Sequence, residues 1–402
     1  MISRRILILT NRIPYPLHDG GALAMDAMIR GYHAASMQVY LLAMNTTRHL
    51  VADAILQTLY LELEGFEVVE VDNRIKPLQL LGNLLFNKEP AHVQRFHTPA
   101  YMEALTRVIQ YFQPDIIQIE SPFLSAYLPQ IRSLTKAVVV LRMHNIEYQI
   151  WERLAGEGRG WKQQYLRVLA TRMKRYEERI FGAYDLLLPI TDMDADKVHA
   201  LYPQQRLVVA PFGIAINNDL PGVVPAFTRA YHLGAMDWLP NSAAMDWLLQ
   251  EIWPEVQQQV PQMEFYFAGR HMPDRFFKDL PPQTYCMGEV ADATAFVADK
   301  QILLVPLRAG GGIRVKILEA MAAGKLVVST DIGMQGIAAI PGVHYLPANT
   351  PCGFAEQLKW VVDHPAKARA IMHTAQQFVQ EQYSQAAVLK NVLDALDQLL
   401  KE

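Results

Sequence analysis

The stretch "QILLVPLRAGGGIRVKILEAMAAGKLVVST" (301–330) decides the fold class, because it reads as a strand, a glycine-rich turn, a helix and a second strand. The aliphatic runs at its two ends are typical of buried parallel strands. Between them, Ile313, Ile317 and Met321 recur at i, i+4 and i+8, which places them on one face of a helix. The stretch therefore predicts one unit of an alternating α/β domain.

The same alternation extends over the whole chain. Short aliphatic runs bounded by turn residues predict strands over 4–10, 39–44, 66–71, 115–120, 137–143, 185–190, 206–211, 230–235, 263–269, 284–288, 301–307 and 325–330. Helical patterns lie between these runs, so we predict an α/β protein with two doubly wound parallel sheets. The predicted division is a Rossmann-like domain over 1–212, a linker over 213–228, a second Rossmann-like domain over 229–385 and a helix over 386–402. The stretch 375–400 is amphipathic with no predicted strand after it, so we expect it to pack as a helix outside the second sheet.

Composition limits the function classes. With 402 residues, 51% of them apolar, the chain is long enough for two domains with separate cores. A net charge of -3 gives no basic footprint, so no nucleic-acid partner is expected. The 2 cysteines fit a reducing compartment and imply no structural metal. No apolar run reaches the length of a membrane span, and the first is short for a signal peptide, so we expect a cytoplasmic protein.

Two segments could make peripheral contact with the inner face of a membrane. The stretch 161–180 is a basic amphipathic helix that a surface of anionic lipid would attract, although a solvated face is the favoured interpretation. The stretch 77–90 is apolar enough to contact a hydrophobic acceptor, although burial in the core is the favoured interpretation.

The turn inside 301–330 carries three consecutive glycines, Gly310, Gly311 and Gly312. Glycines before a helix let the backbone approach a ligand, and the first N–H groups of the helix favour phosphate. Arg314 and Lys316 add positive charge, and Glu319 can accept hydrogen bonds from ribose hydroxyls. These features predict a site for a nucleotide diphosphate. The alternative is a surface helix with an i, i+3 ion pair between Lys316 and Glu319.

A second glycine turn follows the first predicted strand, where Gly20 and Gly21 precede a helical pattern. Ligands of open α/β sheets bind beyond the carboxyl ends of the strands, so two such turns suggest one phosphate-bearing ligand, or two, lying between the two sheets. An ordinary tight turn is the alternative at this position.

Polar side chains also follow two other predicted strands. His144 and Glu147 come directly after 137–143, and Glu120 ends 115–120. Because strand ends in such sheets face substrates, these residues are candidates for substrate contact. A structural histidine is an equal alternative for His144.

Three aspartates in alternate positions, Asp192, Asp194 and Asp196, suggest a divalent cation. The spacing does not match a calcium-binding loop, which needs a glycine and a distant glutamate. Acidic residues at the start of a helix are ordinary capping chemistry, and that interpretation is favoured.

Taken with these patterns, several motifs resemble one family. They are "PYPLHDGGA" (14–22), "HNIEYQIWERL" (144–154), "HLGAMDWLPNSAAMDWLLQEIWPEV" (232–256), "FAGR" (267–270) and "VPLRAGGGIRVKILEAMAAGKLVVST" (305–330). The chain is similar to the retaining glycosyltransferases of family 4, whose GT-B fold has two Rossmann-like domains facing a cleft. Within them it most resembles the bacterial sugar transferases of surface-polysaccharide assembly.

The resemblance implies a metal-independent transferase of hexosyl type that needs no cofactor. Its donor would be a nucleotide sugar, and its acceptor a glycan or a lipid-linked molecule. The implied catalytic residues are His144, Arg314 and Lys316. The implied donor-binding residues are Gly20, Gly21, Arg270, Gly310, Gly311, Gly312, Ile313 and Glu319. Candidates on the acceptor side are Asp19, Glu120 and Glu147.

One position departs from the family pattern. The family often has two glutamates separated by seven residues, and the position eight before Glu319 is Gly311. The carboxylate that contacts the transferred sugar in the family is therefore absent at this position. This departure keeps a second hypothesis open, a non-catalytic GT-B protein that binds a nucleotide or a glycan.

Overall fold

The computed structural model describes residues 4–17, 20–74, 90–157, 160–214, 227–310 and 313–401. The chain divides into two compact units. Unit 1 comprises Met1–Gly213 and Val388–Glu402, and unit 2 comprises Ile214–Ala387. Each unit contains a 6-stranded sheet whose described strand pairs are all parallel. The predicted pair of doubly wound sheets is confirmed.

Unit 1 has its strands in the order β3-β2-β1-β4-β5-β6. The strands are β1 (Arg5–Thr10), β2 (Gln38–Thr46), β3 (Gly65–Val71), β4 (Ile116–Ile119), β5 (Val138–Met143) and β6 (Leu186–Pro189). The helices are α1 (Gly20–Ala34), α2 (Asp53–Leu56), α3 (Ala91–Gln94), α4 (Pro99–Phe112), α5 (Leu128–Leu134), α6 (Glu147–Glu157), α7 (Gly160–Phe181) and α8 (Asp192–Leu201), with a 3-10 helix over Pro122–Tyr127.

Unit 2 repeats this architecture, with the strand order β12-β11-β10-β7-β8-β9. Its strands are β7 (Arg229–Leu233), β8 (Glu264–Ala268), β9 (Thr284–Cys286), β10 (Ile302–Val305), β11 (Leu326–Ser329) and β12 (Leu346–Pro347). Its helices are α9 (Leu239–Trp247), α10 (Trp253–Gln259), α11 (Ala293–Val297), α12 (Val315–Ala322), α13 (Pro351–Asp363) and α14 (Pro365–Gln382), with a π-helix over Leu248–Ile252 and a 3-10 helix over Asp274–Phe277.

The aliphatic runs form these strands because helices cover both faces of each sheet. Every residue of β4, β6, β10 and β11 is buried. Threonine side chains begin several helices: Thr98 accepts from the backbone of α4, Thr191 from α8 and Thr350 from α13. The strand order reverses between β1 and β4 in unit 1 and between β7 and β10 in unit 2, which is where ligands of open α/β sheets bind.

Two predicted elements need correction. The run 206–211 is not a strand, since only an isolated bridge joins Leu207 to Leu187. The amphipathic stretch 375–400 is two helices, α14 and α15 (Gln385–Leu399), and α15 does not pack outside the second sheet. Val388, Val392 and Leu396 on α15 are buried in a core cluster of unit 1 that includes Ile6 and Ile8 of β1.

The contact of α15 with unit 1 is close. A Cβ placed on Gly31 of α1 would lie 3.2 Å from the Leu389 side chain, so glycine lets the two helices approach each other. Arg4 forms an ion pair with Asp397. In the described part of the chain, none of the helices combines the length and the apolar content that a membrane span requires.

Candidate active site

The first cluster of predicted residues lies after β4 and β5, which are neighbours in the sheet of unit 1. Glu120 follows β4 and is only 1% exposed. His144 follows β5 and is half-buried. The Nε2 atom of His144 lies 2.9 Å from Oε2 of Glu120. The two strand ends therefore bring these predicted residues into direct contact.

Buried polar groups hold Glu120 in its ionised form. Arg142, 1% exposed on β5, places a guanidinium nitrogen 3.6 Å from the carboxylate and donates to the backbone O of Ala24 at 2.7 Å. Gln118 donates to the other carboxylate oxygen, and the Tyr32 hydroxyl donates to Gln118 at 2.6 Å. Burial by itself raises the pKa of Glu120, but Arg142 and the hydrogen bonds outweigh it and lower that pKa below its usual value.

This ionised carboxylate defines the tautomer of His144. It can only accept, so Nε2 of His144 carries the proton, and whenever the ring is neutral Nδ1 presents a lone pair. Nδ1 is buried and has no hydrogen-bond partner among the described residues. Buried polar atoms are normally paired, so a ligand hydroxyl is the expected partner. The ring of Phe212 lies 6.5 Å away, centroid to centroid.

The glycine pair of unit 1 sits at the helix start. Gly20 is the first residue of α1, so Gly20 and Gly21 form its first turn and do not precede it. Among the described residues, a Cβ on Gly20 would meet Phe212 at 3.8 Å, which is an ordinary contact. The protein itself thus leaves room for a side chain there, and approach of a ligand to this turn stays a prediction. Asp19 lies outside the described residues.

Glu147 begins α6 and is separate from the Glu120–His144 pair. Its backbone N–H and that of Tyr148 donate to the two carboxylate oxygens of buried Glu177, each at 2.8 Å, so Glu177 caps α6. Burial raises the pKa of the Glu147 carboxyl to about 7, with nearby Arg95 acting in the opposite direction. Its role on the acceptor side stays a prediction.

In unit 2, Lys316 lies on the first turn of α12 and points into the protein. Its Nζ is 3.1 Å from the Leu233 carbonyl, 3.1 Å from Oδ1 of Asn241 and 3.1 Å from Nε2 of His232. These contacts connect α12 to the end of β7 and to α9. Lys316 does not pair with Glu319 in the described residues, so the surface ion pair is the wrong interpretation.

The charge of Lys316 is poorly compensated. Burial, and then the positive charge of Arg314, lower the pKa of Lys316 to about 7. Burial and Lys316 lower the pKa of His232 well below its usual value, so His232 is neutral and accepts from the ammonium group. A diphosphate near this group would restore the charged form of Lys316, because an opposite charge favours ionisation.

Gly310 and the Arg314 side chain lie close together before α12. Gly310 has a φ of 122°, in the region that favours glycine. A Cβ there would lie 2.9 Å from a guanidinium nitrogen of Arg314 and 3.1 Å from the Trp238 ring. Arg314 is 5% exposed, and its Cζ is 5.5 Å from the centroid of Trp238. Trp238 thus helps to orient this cation after β10, next to the switch point of unit 2.

The remaining predicted donor residues differ in position. Glu319 is exposed on α12, although desolvation of its carboxylate raises its pKa. Arg270 follows β8 with an exposed side chain, and its carbonyl accepts from the backbone N of Met236 at 2.9 Å. Ile313 is half-buried and packs against a core cluster of unit 2. Gly311 and Gly312 lie outside the described residues.

The aspartates at 192–196 lie at the start of a helix that Thr191 caps. Asp192 is the first residue of α8, and the Thr191 hydroxyl accepts from the backbone N of Asp194 at 3.0 Å. Within the described ranges, no group of three or more His, Cys, Asp or Glu side chains is arranged to hold a metal ion. The capping interpretation is the one that the helix start supports.

The sequence reasoning missed several polar residues that complete these clusters. They are Tyr32, Gln118, Arg142, His232, Trp238 and Asn241. Gln118 and Arg142 share one signal, a polar residue inside an otherwise apolar strand. Because polar groups buried in a sheet need partners, such interruptions point to neighbouring charged residues.

Two family models match the chain. The model "Glycosyltransferase Family 4" matches residues 20–218, and "Glycosyl transferases group 1" matches residues 228–364. The two parallel sheets with their flanking helices are those of the GT-B fold. The chain belongs to the family 4 glycosyltransferases, and it transfers a sugar.

Similar proteins cover nearly the full chain. An uncharacterised 44.6 kDa protein in the cps region of Klebsiella pneumoniae is 21% identical, over 96% of this chain and 98% of that one. The crystal structure of TarM has a TM-score of 0.66 at 10% identity, over 98% of this chain and 99% of that one. The crystal structure of Anabaena HepE in complex with UDP has a TM-score of 0.64 at 14% identity, over 98% of this chain and 100% of that one. These structural likenesses support the GT-B fold.

Proposed function

We propose that the protein transfers a hexose from a nucleoside diphosphate sugar to a hydroxyl of a glycan or lipid-linked acceptor, with retention and without a metal ion. The observation that carries the proposal is the 2.9 Å contact between Glu120 and His144, which leaves Nδ1 of His144 ready to accept from a sugar hydroxyl. Neighbours in fold support the donor class, since HepE is known in complexes with UDP and with UDP-glucose.

Charge in unit 2 supports a metal-independent reaction. When the bond between sugar C1 and the leaving oxygen breaks, its electron pair moves onto the diphosphate. The acceptor oxygen bonds to C1 on the same face, and its proton passes to the departing phosphate oxygen. Arg314 and Lys316 supply positive charge for the leaving group, and such stabilisation is typically the largest catalytic contribution.

Separate observations support the acceptor side of the proposal. The relative from a cps region fits a role in polysaccharide assembly, and the pneumococcal O-GlcNAc transferase GtfA, known with UDP and GlcNAc, has the same fold with a TM-score of 0.60. Glu319, exposed on α12, is the proposed partner of the donor ribose. Gly311 stands where the family often has its first glutamate, so the carboxylate that contacts the transferred sugar in the family is absent at this position.

A donor screen tests the proposal. Calorimetry with a panel of nucleoside diphosphates, followed by hydrolysis assays of the matching sugars, is expected to find one base that binds and one sugar that turns over. Binding without turnover of any donor would favour a non-catalytic binding protein. Activity lost in EDTA and restored by Mn²⁺ or Mg²⁺ would contradict metal independence, and an inverted product would contradict retention.

A further inference from the structure

A second group of charged residues lies in unit 1, apart from the Glu120–His144 pair. Arg48 is in the turn that follows β2, His92 is on α3, and Arg95 is the residue at which α3 ends. We call these three residues the basic cluster. Glu147, at the start of α6, is the carboxylate that faces them.

Aromatic side chains hold the basic cluster in place. The ring of His92 lies 4.4 Å from the ring of Trp151 on α6, and Cζ of Arg95 lies 4.9 Å from the centroid of buried Phe96. Nε of Arg95 is buried and has no hydrogen-bond partner among the described residues. A guanidinium that is fixed by packing but lacks an acceptor is prepared to bind one.

The charges around Arg95 do not balance. Arginine stays protonated in proteins, so Arg48 and Arg95 contribute two positive charges. Burial and then the positive charge of Arg48 lower the pKa of Arg95, and Glu147 acts in the opposite direction. Burial and the two arginines lower the pKa of His92 to about 4, so it is neutral at pH 7. The opposing Glu147, with a pKa of about 7, is only partly ionised there.

We propose that the basic cluster binds an anionic group on the acceptor, either a phosphoryl group or a carboxylate. Arg95 offers a planar pair of donors that matches both kinds of oxyanion, and Arg48 adds charge from the surface. Trp151, whose ring lies against that of His92, presents an aromatic surface on which a sugar ring or an isoprenoid chain can pack. The inference rests on the proposed function, because it assigns the site to the acceptor of that transfer.

The two sources of such an anion are a lipid-linked diphosphate and an acidic sugar. Farnesyl diphosphate serves as the probe for the first and glucuronate for the second. Saturating UDP occupies the donor site during calorimetric titration, so the probes report on a second site. Binding of farnesyl diphosphate alone indicates a phosphoryl group, and binding of glucuronate alone indicates an acidic sugar.

Three variants test whether the probe binds at the basic cluster. Arg95→Gln is expected to lower the affinity for the probe that binds by about tenfold or more, because it removes a charge-assisted hydrogen-bond donor. Arg48→Gln changes an exposed side chain and leaves the fold intact. We expect it to lower the affinity for the same probe by about threefold. Arg153→Gln on α6 is the matched control, because Arg153 is exposed and its side chain donates only to the Gln149 carbonyl among the described residues. It should leave the affinity unchanged.

The outcomes separate this inference from the proposed function. If UDP binds and neither probe does, or if Arg95→Gln and Arg48→Gln bind the probe like the wild type, the inference is wrong while the transfer reaction stands. If no nucleotide binds or turns over, the proposed function is wrong. The probes are then titrated without UDP, and an affinity that falls in both variants still shows an anion site at the basic cluster. Melting temperatures of all variants report whether they fold.

Discussion

The polar cluster of unit 1 and that of unit 2 handle buried charge in opposite ways. In unit 1, the buried carboxylate of Glu120 faces Arg142 and a hydrogen bond from His144, so positive and negative groups compensate each other. In unit 2, the acceptors that Lys316 contacts among the described residues are neutral, and its charged neighbour, Arg314, is also positive. The first arrangement orients a side chain, whereas the second creates a need for an anion. The following predictions test that contrast, from the largest expected effect to the smallest.

The largest effect concerns the compensated charge in unit 1. Glu120→Ala leaves Arg142 buried without its carboxylate, so the free energy of unfolding should fall by about 3–5 kcal/mol. Urea denaturation followed by circular dichroism measures it. The double variant Glu120→Gln with Arg142→Met is the control and should recover part of the loss, because it removes both charges. A loss below about 1 kcal/mol for Glu120→Ala would show that the charge of Arg142 is compensated elsewhere.

His144→Ala tests whether the oriented side chain acts in the reaction. We expect kcat to fall by about 100-fold, because the contact to the transferred sugar strengthens in the transition state. The Kd for the nucleotide should change little, since unit 2 supplies that affinity. Measurements of kcat, Kd and melting temperature on one preparation separate the possibilities. A lower melting temperature with near-normal kcat would mean that His144 is structural.

Glu319→Ala tests the exposed carboxylate of α12. Loss of a charged hydrogen-bond acceptor for the ribose should weaken nucleotide binding about tenfold, with an unchanged melting temperature. Glu381→Ala is the matched control, because Glu381 is an exposed glutamate of α14 in the same unit. Calorimetric titration with the preferred nucleotide gives both affinities. Equal affinities for the two variants would remove Glu319 from the donor site.

The smallest effect is the pH dependence that Lys316 should give to donor binding. In the protein without donor, the pKa of Lys316 is about 7, so its charged form dominates below pH 7 and declines above it. Affinity for UDP-glucose, whose phosphates do not titrate in this range, should therefore fall several-fold, up to about tenfold, from pH 6 to pH 8. Proton uptake on binding should accompany the change. In Lys316→Met both effects should vanish; a wild-type profile that is flat would contradict the assignment.

Much of the fold was predictable because strands covered on both faces are nearly continuous aliphatic runs. The same reasoning found Glu120 and His144, since polar residues at the ends of parallel strands meet at one sheet edge. The run 206–211 was wrongly predicted as a strand, because an aliphatic run can also be buried as irregular chain beside β6.

Other features of the sites could not be read from the sequence. A helical pattern placed Lys316 and Glu319 on one stripe, but it could not show that Lys316 turns inward to Leu233 and Asn241. Likewise, the amphipathic pattern of α15 shows that the helix has an apolar face. It does not reveal whether that face covers the core of unit 1 or the core of unit 2.

The return of α15 to unit 1 has a consequence during translation. Unit 2 is one continuous stretch, Ile214–Ala387, and can assemble its core as it leaves the ribosome. Unit 1 emerges first but depends on Val388, Val392 and Leu396, which the ribosome makes only after all of unit 2. Its nascent chain therefore keeps an apolar surface uncovered during the synthesis of unit 2. The unit that is made first is completed last, and chaperones have that interval in which to bind it.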